Sequence, residues 1–380
     1  MLKKKKLLAL LCALTFADAA SSATVYDKDG TSLDLFGRMR VMAMNSHAAA
    51  LENSDKGSPE GDSTISADSR FGLAGRSRIC NGVYAIAMTE WDMATGDNDD
   101  SKTEARYQFV GIDAQQYGTL TFGRGDSAYY TVAGATDIYK YLDTRANDYY
   151  IFGDQVPGLV MYSLSAMGWD IRLSFQAPKD NINSTGFSVD SGGAFAVATR
   201  LDCGITIAYG ASYQDFSYEG SSTEMLEFFG PMLAKSDLKF DEADAAEYAT
   251  TSKAPSYKVN KGIAISYGTL GQGFYGAFVY NVTRYKGLAH HLYTYELALD
   301  YAFYFGLGIN GGYSVQRYDN DSLISDLNLG VYYKFNPCFQ IFFEGQIDLN
   351  AKPERLYGSK YIADQHLGEN KVVLGAEYDF

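Results

Sequence analysis

The last ninety residues of the chain alternate between large apolar residues and small or polar ones with hardly a break. From 293 to 303 every second residue is Tyr, Leu or Phe, and Thr, Glu, Ala and Asp stand between them. A period of two indicates β-strands whose two faces differ chemically. The small and charged face is unsuited to a dry core, and the aromatic face is unsuited to water. A closed barrel in lipid, apolar outside and polar inside, satisfies both faces.

Alternation and turn signals along the whole chain predict sixteen strands. They are 33–44, 67–78, 83–91, 105–113, 119–124, 156–164, 169–177, 195–201, 205–214, 262–268, 274–283, 293–303, 305–315, 323–335, 339–349 and 371–380. Short turns are expected after the even-numbered strands and long loops after the odd-numbered ones, with both chain ends on the periplasmic side. A soluble all-β protein, the alternative, has no reason to separate its loops in this way. The predicted fold class is therefore an all-β, 16-stranded antiparallel transmembrane β-barrel.

The first residues carry a targeting pattern rather than a strand pattern. Four lysines at 3–6 precede a short apolar stretch at 7–16 and a run of small residues. This order predicts a cleaved signal peptide at 1–23, followed by a barrel domain at 24–380. The net charge of −14 argues against a nucleic-acid partner. Cys80, Cys203 and Cys338 fall in predicted periplasmic turns, where we expect free thiols, although one disulfide pair stays open; their spacing does not fit a metal site.

A sixteen-stranded barrel is too wide for side chains to fill, so we expect an aqueous lumen and a segment that narrows it. The segment 125–155 is the best candidate, because it carries acidic groups among aromatic ones. Folded inward, it would form a constriction loop. Its acidic candidates are Asp137 and Asp143.

The first two predicted strands place a set of arginines on the polar face. By parity, the lumen-facing arginines are Arg38, Arg40, Arg70, Arg76 and Arg78, and Arg106 and Arg172 also have polar parity. Arg124 shares the parity of apolar neighbours, so it faces inward only if the strand bulges after Gly123. An arginine row opposite carboxylates would create a strong transverse field, which would order water and disfavour apolar solutes.

Several motifs resemble one family in order along the mature chain. The motifs are VYDKDG at 25–30, LDLFGR at 33–38, SRFGL at 69–73, FGR at 122–124, TDI at 136–138, FN at 335–336 and VLGAEYDF at 373–380. Together they resemble the general trimeric porins of Gram-negative outer membranes, of the OmpC and OmpF type. The resemblance implies a homotrimer for passive diffusion of ions and small hydrophilic solutes, with an inward third loop and no cofactor. The implied partners are outer-membrane lipid, lipopolysaccharide and the barrel assembly machinery.

The same resemblance assigns roles to individual residues. It maps the basic constriction cluster to Arg38, Arg70 and Arg124, the acidic loop residue to Asp137, and the C-terminal assembly signal to Phe380. The family's Pro-Glu-Phe-Gly-Gly element is replaced here by YKYLD at 139–143. Within it, Asp143 stands in for an acid and Lys140 is a departure, so pore size and selectivity are open.

Two other functions were weighed against a general pore. A substrate-specific channel for sugars would need a continuous aromatic stripe in the lumen, whereas most aromatic residues have outward parity. A phosphate channel would need lumen cations without the opposing acids. An outer-membrane hydrolase would need a His beside Ser and a carboxylate, and none of His47, His290, His291 and His366 shows such spacing. The acidic segment 216–258 is expected to be a surface insertion, with a cap, a lid or a partner-binding loop as alternatives.

Overall fold

A computed structural model describes residues 22–46, 63–95, 103–142, 155–180, 187–218, 257–286, 290–357, 362 and 367–380. Some predictions concern residues beyond these ranges. They are the signal peptide up to 21, residues 143–154 of the predicted constriction segment with Asp143, His47, His366, and the central part, 219–256, of the acidic segment. The predicted boundary at 23 stays a prediction.

Seventeen strands lie within the described ranges. They are β1 (Ala23–Lys28), β2 (Thr31–Ser46), β3 (Ser63–Cys80), β4 (Val83–Thr95), β5 (Thr103–Asp113), β6 (Thr119–Asp126), β7 (Gln155–Ala166), β8 (Trp169–Gln176), β9 (Phe187–Arg200), β10 (Ile205–Tyr218), β11 (Tyr257–Thr269), β12 (Gln272–Tyr285), β13 (Leu292–Ala302), β14 (Leu307–Tyr318), β15 (Asp321–Lys334), β16 (Phe339–Asp348) and β17 (Lys371–Asp379). From β2 onward each strand pairs antiparallel with the next, and β17 pairs with β2. The described strands thus close a ring of sixteen, which confirms the predicted fold class. No helix in the described ranges has the length and apolar character needed to cross a membrane.

The two faces of β13 show why the chain closes in this way. Tyr295 and Leu297 are 38% and 43% exposed on the outer face, whereas Glu296 between them is 1% exposed on the inner face. Each strand from β2 to β17 pairs along both edges with a neighbouring strand, as a hydrocarbon environment requires of backbone N–H and C=O groups. The apolar outer face is therefore matched to lipid and the polar inner face to an aqueous lumen.

The seam of the barrel lies between the last strand and the first strand of the ring. There β17 pairs with β2 from Arg38 to Ser46, and Phe380 exchanges two backbone hydrogen bonds with Gly37, at 2.8 and 2.9 Å. The remaining edge of β2 is covered by β1, which sequence reasoning missed. β2 has 16 residues and β17 only 9, so a short strand at the chain start pairs with the edge that β17 leaves open.

The predicted alternation of short turns and long loops is wrong at one position. β14 and β15 are joined by a two-residue turn, because Tyr318 pairs with Asp321. Asp319 adopts a φ of 52°, which Asp tolerates in tight turns. The sequence predicts a loop over 316–322, between the strands at 305–315 and 323–335, but residues 316–318 belong to β14 and residues 321 and 322 to β15.

Candidate functional site

The segment that follows β6 runs along the inner wall of the barrel. It begins with one helical turn, α1 (Tyr130–Ala133), which contacts β9, β10 and β11. Val132 and Ala133 are buried there against Ala208 and Ala264 of the wall. Small wall residues let the turn approach closely, so apolar burial fixes the start of the loop inside the lumen.

Two glycines of the wall mark further points of close approach. A Cβ atom at Gly262 would overlap the hydroxyl of Tyr129, and one at Gly312 would overlap the hydroxyl of Tyr139. Tyr129 donates a hydrogen bond to Asn281 Oδ1 at 2.5 Å. The inner faces of β11 and β14 are therefore shaped to receive this loop.

The middle of the loop is tied to the wall by hydroxyl groups. Thr136 Oγ1 donates to Glu296 Oε2 at 2.7 Å, and both side chains are buried. From the wall, the hydroxyl of Tyr275 donates to the carbonyl oxygen of Ala135, also at 2.7 Å. These bonds hold the loop against β12 and β13, along the circumference of the lumen.

A single carboxylate of β16 binds the next part of the loop. Glu344, which is 1% exposed, accepts hydrogen bonds from three consecutive backbone N–H groups. The donors are Lys140 at 2.6 Å, Tyr141 at 2.9 Å and Leu142 at 3.0 Å. Hydrogen bonds to a charged acceptor are stronger than neutral ones, so Glu344 is a main anchor of the loop.

Lys140 joins the loop to the barrel seam. Its Nζ lies 3.2 Å from Glu377 Oε1 on β17. Its carbonyl oxygen accepts a hydrogen bond from the guanidinium of Arg40 on β2. The residue that departs from the family's loop motif is thus bonded to the wall on both its side chain and its backbone.

Across the lumen from α1, the wall that begins at the seam carries paired charges. Arg38 and Arg70 stand directly opposite each other on β2 and β3. Arg38 lies 3.8 Å from Asp68 and 3.7 Å from Glu377. Arg40 donates to both carboxylate oxygens of Asp68 through its Nε, at 3.2 and 3.0 Å.

The next two strands continue this pattern of paired charges. Arg70 Nε lies 3.7 Å from Asp92 Oδ2, which belongs to β4. Arg106 of β5 lies 3.6 Å from the same oxygen of Asp92 and 2.9 Å from Glu90. The sequence predicted carboxylates that face this wall from across the pore. It did not predict Glu90 and Asp92 within the wall itself, or their pairing with Arg106. Even parity on β4 was the signal that could have found them.

Arg124 lies at a strand bulge, the feature on which its predicted inward orientation depends. The register of β6 and β7 shifts between Gly123 and Gly125, and Gly123 has a φ of 148°. The Nε of Arg124 is buried. No ion pair joins Arg124 to another residue of the described ranges.

Asp137 is exposed on the lumen side of the loop, and a tyrosine links it back to α1. The hydroxyl of Tyr130 donates to Asp137 Oδ2 at 2.7 Å. Burial, reinforced by the carboxylates of Asp137 and Asp126, raises the pKa of Tyr130 above its ordinary value, so the phenol stays a neutral donor. Asp126 in turn accepts from Tyr107 at 2.8 Å, beside Arg106. The carboxylate of Asp137 is therefore linked to the charged wall through Tyr130 and Tyr107.

Other candidate residues lie apart from this cluster. Arg76 pairs with Asp113 at 2.7 Å and stacks on Tyr84, near the short turns. Arg78 is exposed beside Gly30. The rings of His290 and His291 contact aromatic rings, Tyr318 and Tyr293. The described cysteines are free thiols in three turns at one end of the barrel, namely Cys80, Cys203 and Cys338.

A closed barrel with a polar lumen and a loop fixed along its inner wall has the architecture of a membrane channel. Residues 8–323 match the family model described as Gram-negative porin, and the chain belongs to that family. It is thus an outer-membrane porin that forms a water-filled channel.

Individual relatives are distant but extend over the whole chain. The porin PhoE of Klebsiella oxytoca is 24% identical over 401 residues, covering 100% of both chains. Outer membrane protein S2 of Salmonella typhi is 23% identical and covers 99% of this chain and 100% of its own. Among solved structures, OmpF of Salmonella typhi, in complex with daunomycin, has a TM-score of 0.70 at 18% identity and covers 94% of this chain and 100% of its own. An anion-selective porin from Comamonas acidovorans has a TM-score of 0.65 at 13% identity, covering 92% of this chain and 100% of its own.

Proposed function

We propose that this porin forms a general pore for passive diffusion of ions and small hydrophilic solutes. One observation carries the proposal: the described part of the inward loop, which ends at Leu142, is bonded along the inner wall as far as Arg40 of β2, while Arg70, Asp92 and Arg106 on β3 to β5 stay partly exposed. A loop fixed in this way narrows the lumen without closing it. The exposed groups beside the passage are charged, so polar solutes lose less hydration there than at an apolar constriction.

The constriction has a basic and an acidic side in this proposal. Arg38, Arg70 and Arg124 form the basic side, and Asp137 is the acidic residue of the loop. Asp143 is a further acidic candidate, outside the described residues. Lys140 acts as an anchor, since Glu377 and Arg40 hold it against the wall. Arg40, Arg76 and Arg78 are other basic groups of the lumen.

The test is conductance of the purified protein in planar bilayers. We expect steady, ohmic single-channel steps, and a reversal potential in a salt gradient that responds to Arg70→Ala with a shift toward cations. Arg76→Ala, near the short turns, is the matched control and should shift selectivity less. Absence of steady ion conductance would refute the porin function, and an unchanged reversal potential in Arg70→Ala would remove its constriction role.

The assembly state and surroundings complete the proposal. We propose a homotrimer in outer-membrane lipid and lipopolysaccharide, exported with a signal peptide at 1–23 and inserted by the barrel assembly machinery through Phe380. Conductance steps in groups of three and a heat-sensitive trimer band on a gel would support this; monomeric migration under mild detergent would contradict it.

The proposal also holds that the protein is a channel and not a hydrolase. His290 packs its ring edge-on against Tyr318, with the ring centroids 5.7 Å apart. Esterase or protease turnover that is lost in His290→Ala would overturn this part of the proposal.

A further inference from the structure

Three basic side chains lie on the outer face of the barrel, among apolar and aromatic residues. They are Lys261 on β11, Arg284 on β12 and Arg317 on β14, and all three are exposed. Ile263 and Phe278, which share the outer face with Lys261 and Arg284, are 37% and 40% exposed, as expected of lipid-facing positions. Basic residues on this face call for a partner, because a charge next to hydrocarbon destabilises a barrel.

Strand register places the three cations together at one level of the barrel. Lys261 pairs with Val282, and Val282 pairs with Tyr293. Tyr293 in turn pairs with Arg317, so Lys261 and Arg317 are the two ends of one row across β11 to β14. Neighbouring strands are about 4.8 Å apart, so this row spans about 14 Å. Arg284 lies two residues beyond Val282, on the strand next to Lys261.

The level of this row is the aromatic girdle at the long-loop end of the barrel. On the outer face of β13, Tyr301 lies near the short turns and Tyr293 lies eight residues away, about 27 Å along the strand. Leu297 and Leu299 lie between them, as in an apolar band that aromatic residues flank. The three cations therefore lie where lipid headgroups meet the hydrocarbon, a depth at which a charge destabilises the barrel little.

The carboxylates of the protein do not neutralise this row. Within the described ranges, no ion pair joins any of the three cations to a carboxylate. This holds even for Asp319, which lies two residues beyond Arg317, and for Asp215 on β10. By contrast, Arg70 and Arg106 in the lumen are each paired with a carboxylate of the barrel. The outer cations are therefore available to a partner from outside the barrel.

The seam of the barrel has a different outer face near the same end. There Leu374, Ala43 and Ile65 form one row across β17, β2 and β3, and Ile65 is 71% exposed. The outer surface near the long loops is thus apolar at the seam and basic at β11 to β14. This difference favours a localised binding site over a general attraction to an anionic membrane surface.

A lipid with phosphate groups has the chemistry that fits this row. The outer face of a membrane-spanning strand meets membrane components at the depth of the girdle. Guanidinium groups bind phosphate oxygens through paired, charge-assisted hydrogen bonds. Because the row spans about 14 Å, a headgroup with two phosphate groups on a sugar unit uses all three cations, whereas a phospholipid brings a single phosphate.

We infer that the outer ends of β11, β12 and β14 bind the phosphate groups of an outer-leaflet glycolipid, with Lys261 and Arg284 at one phosphate and Arg317 at another. Because the protein supplies the positive charge, this binding needs no divalent metal ion between protein and lipid. The inference rests on the proposed outer-membrane setting, and it concerns a site separate from the pore.

The experiment titrates the purified protein with a short-chain lipopolysaccharide in neutral detergent that contains EDTA, and native mass spectrometry reads the bound fraction. A basic residue near an anionic membrane surface contributes about 1 kcal/mol, which is about fivefold in affinity. We therefore expect wild type to bind in EDTA, and the double variant Arg284→Gln/Arg317→Gln to bind about 25-fold more weakly. Lys28→Gln is the matched control, because Lys28 is an exposed lysine of β1, outside this row, and it should bind like wild type.

Several outcomes would overturn the inference. They are loss of wild-type binding in EDTA, equal binding of dephosphorylated lipopolysaccharide or of phosphatidylglycerol, and equal affinities of the double variant and the control. A double variant that loses its trimer band but keeps its lipid affinity would assign the row to a subunit contact instead. Should the double variant fail to fold, Lys261→Gln carries the test: affinity about fivefold lower supports the inference, and unchanged affinity refutes it.

The same preparations separate this inference from the pore function. The double variant should conduct ions like wild type in planar bilayers, because the row faces away from the lumen. A wild type that conducts but binds no lipopolysaccharide overturns the inference alone, whereas a wild type without conductance overturns the porin function.

Discussion

Replacing Glu344 with Gln removes the charge that holds the far part of the inward loop. The wild-type carboxylate accepts from three consecutive N–H groups, with one oxygen on Lys140 and the other on Tyr141 and Leu142. An amide keeps only one acceptor oxygen. Its NH₂ group must then face at least one backbone donor, so the variant loses one or two charge-assisted bonds and gains a donor–donor contact.

The free energy of the hydrogen bonds lost in Glu344→Gln is large compared with thermal energy. A hydrogen bond to a charged group contributes about 1.5–3 kcal/mol. The variant therefore destabilises the attached state of this part of the loop, relative to the detached state, by about 3 kcal/mol. That free energy lowers the ratio of attached to detached loop by about a hundredfold. The bonds of Tyr129 and Thr136 to the wall stay intact, so we expect the start of the loop to remain in place while its far part moves.

Single-channel recording measures the effect. We expect Glu344→Gln to show a larger mean conductance and more current noise in the open state, because the detached segment moves in the lumen. Asp326→Asn is the control: Asp326 is a carboxylate on neighbouring β15, 4% exposed, and accepts from Gln346. Conductance and noise equal to wild type in Glu344→Gln, or equal changes in both variants, would refute the anchoring role.

Three further predictions concern packing, the seam and the turns. Gly262→Val should displace Tyr129 and increase open-channel noise, whereas Gly75→Val, whose Cβ has no neighbour within 4 Å, should not; equal noise would contradict the close packing. Deleting Phe380 removes the two backbone bonds to Gly37 and should lower the yield of heat-modifiable folded barrel; an unchanged yield would show that the seam closes without it. A bulky maleimide should label the turn thiols in broken but not in intact cells, and labelling of intact cells would reverse the assigned orientation. These thiols are Cys80, Cys203 and Cys338.

Much of the barrel could be predicted because its information is local. Whether Tyr295 faces lipid and Glu296 the lumen depends only on a period of two and on the polarity of adjacent residues. Strand ends were predicted least well where local signals conflicted. β9 begins at Phe187 rather than at 195, since Gly192 and Gly193 suggest a turn but pair within the sheet.

The candidate site was only partly predictable. Parity placed Arg38 and Arg70 on the inner face, and the segment 125–155 was the candidate for the lumen. Even parity on β4 could also have placed Asp92 on that face, whereas contacts between parts of the chain far apart in sequence followed from no local pattern. Lys140 stood out as a departure from a motif, but its contact with Glu377 joins residues 237 positions apart, and that separation has no signature in one sequence.

The sequence by itself determined the strands, their two faces and the family, because alternation, turn residues and end motifs act over a few residues. Tertiary structure alone decided the route of the loop, the pairing of β1 beside β17, and the partners of the wall arginines. The physical reason is register and closure: strand register places Asp92 beside Arg70 and Arg106, and closing the ring brings Glu377 of β17 beside Arg38 of β2.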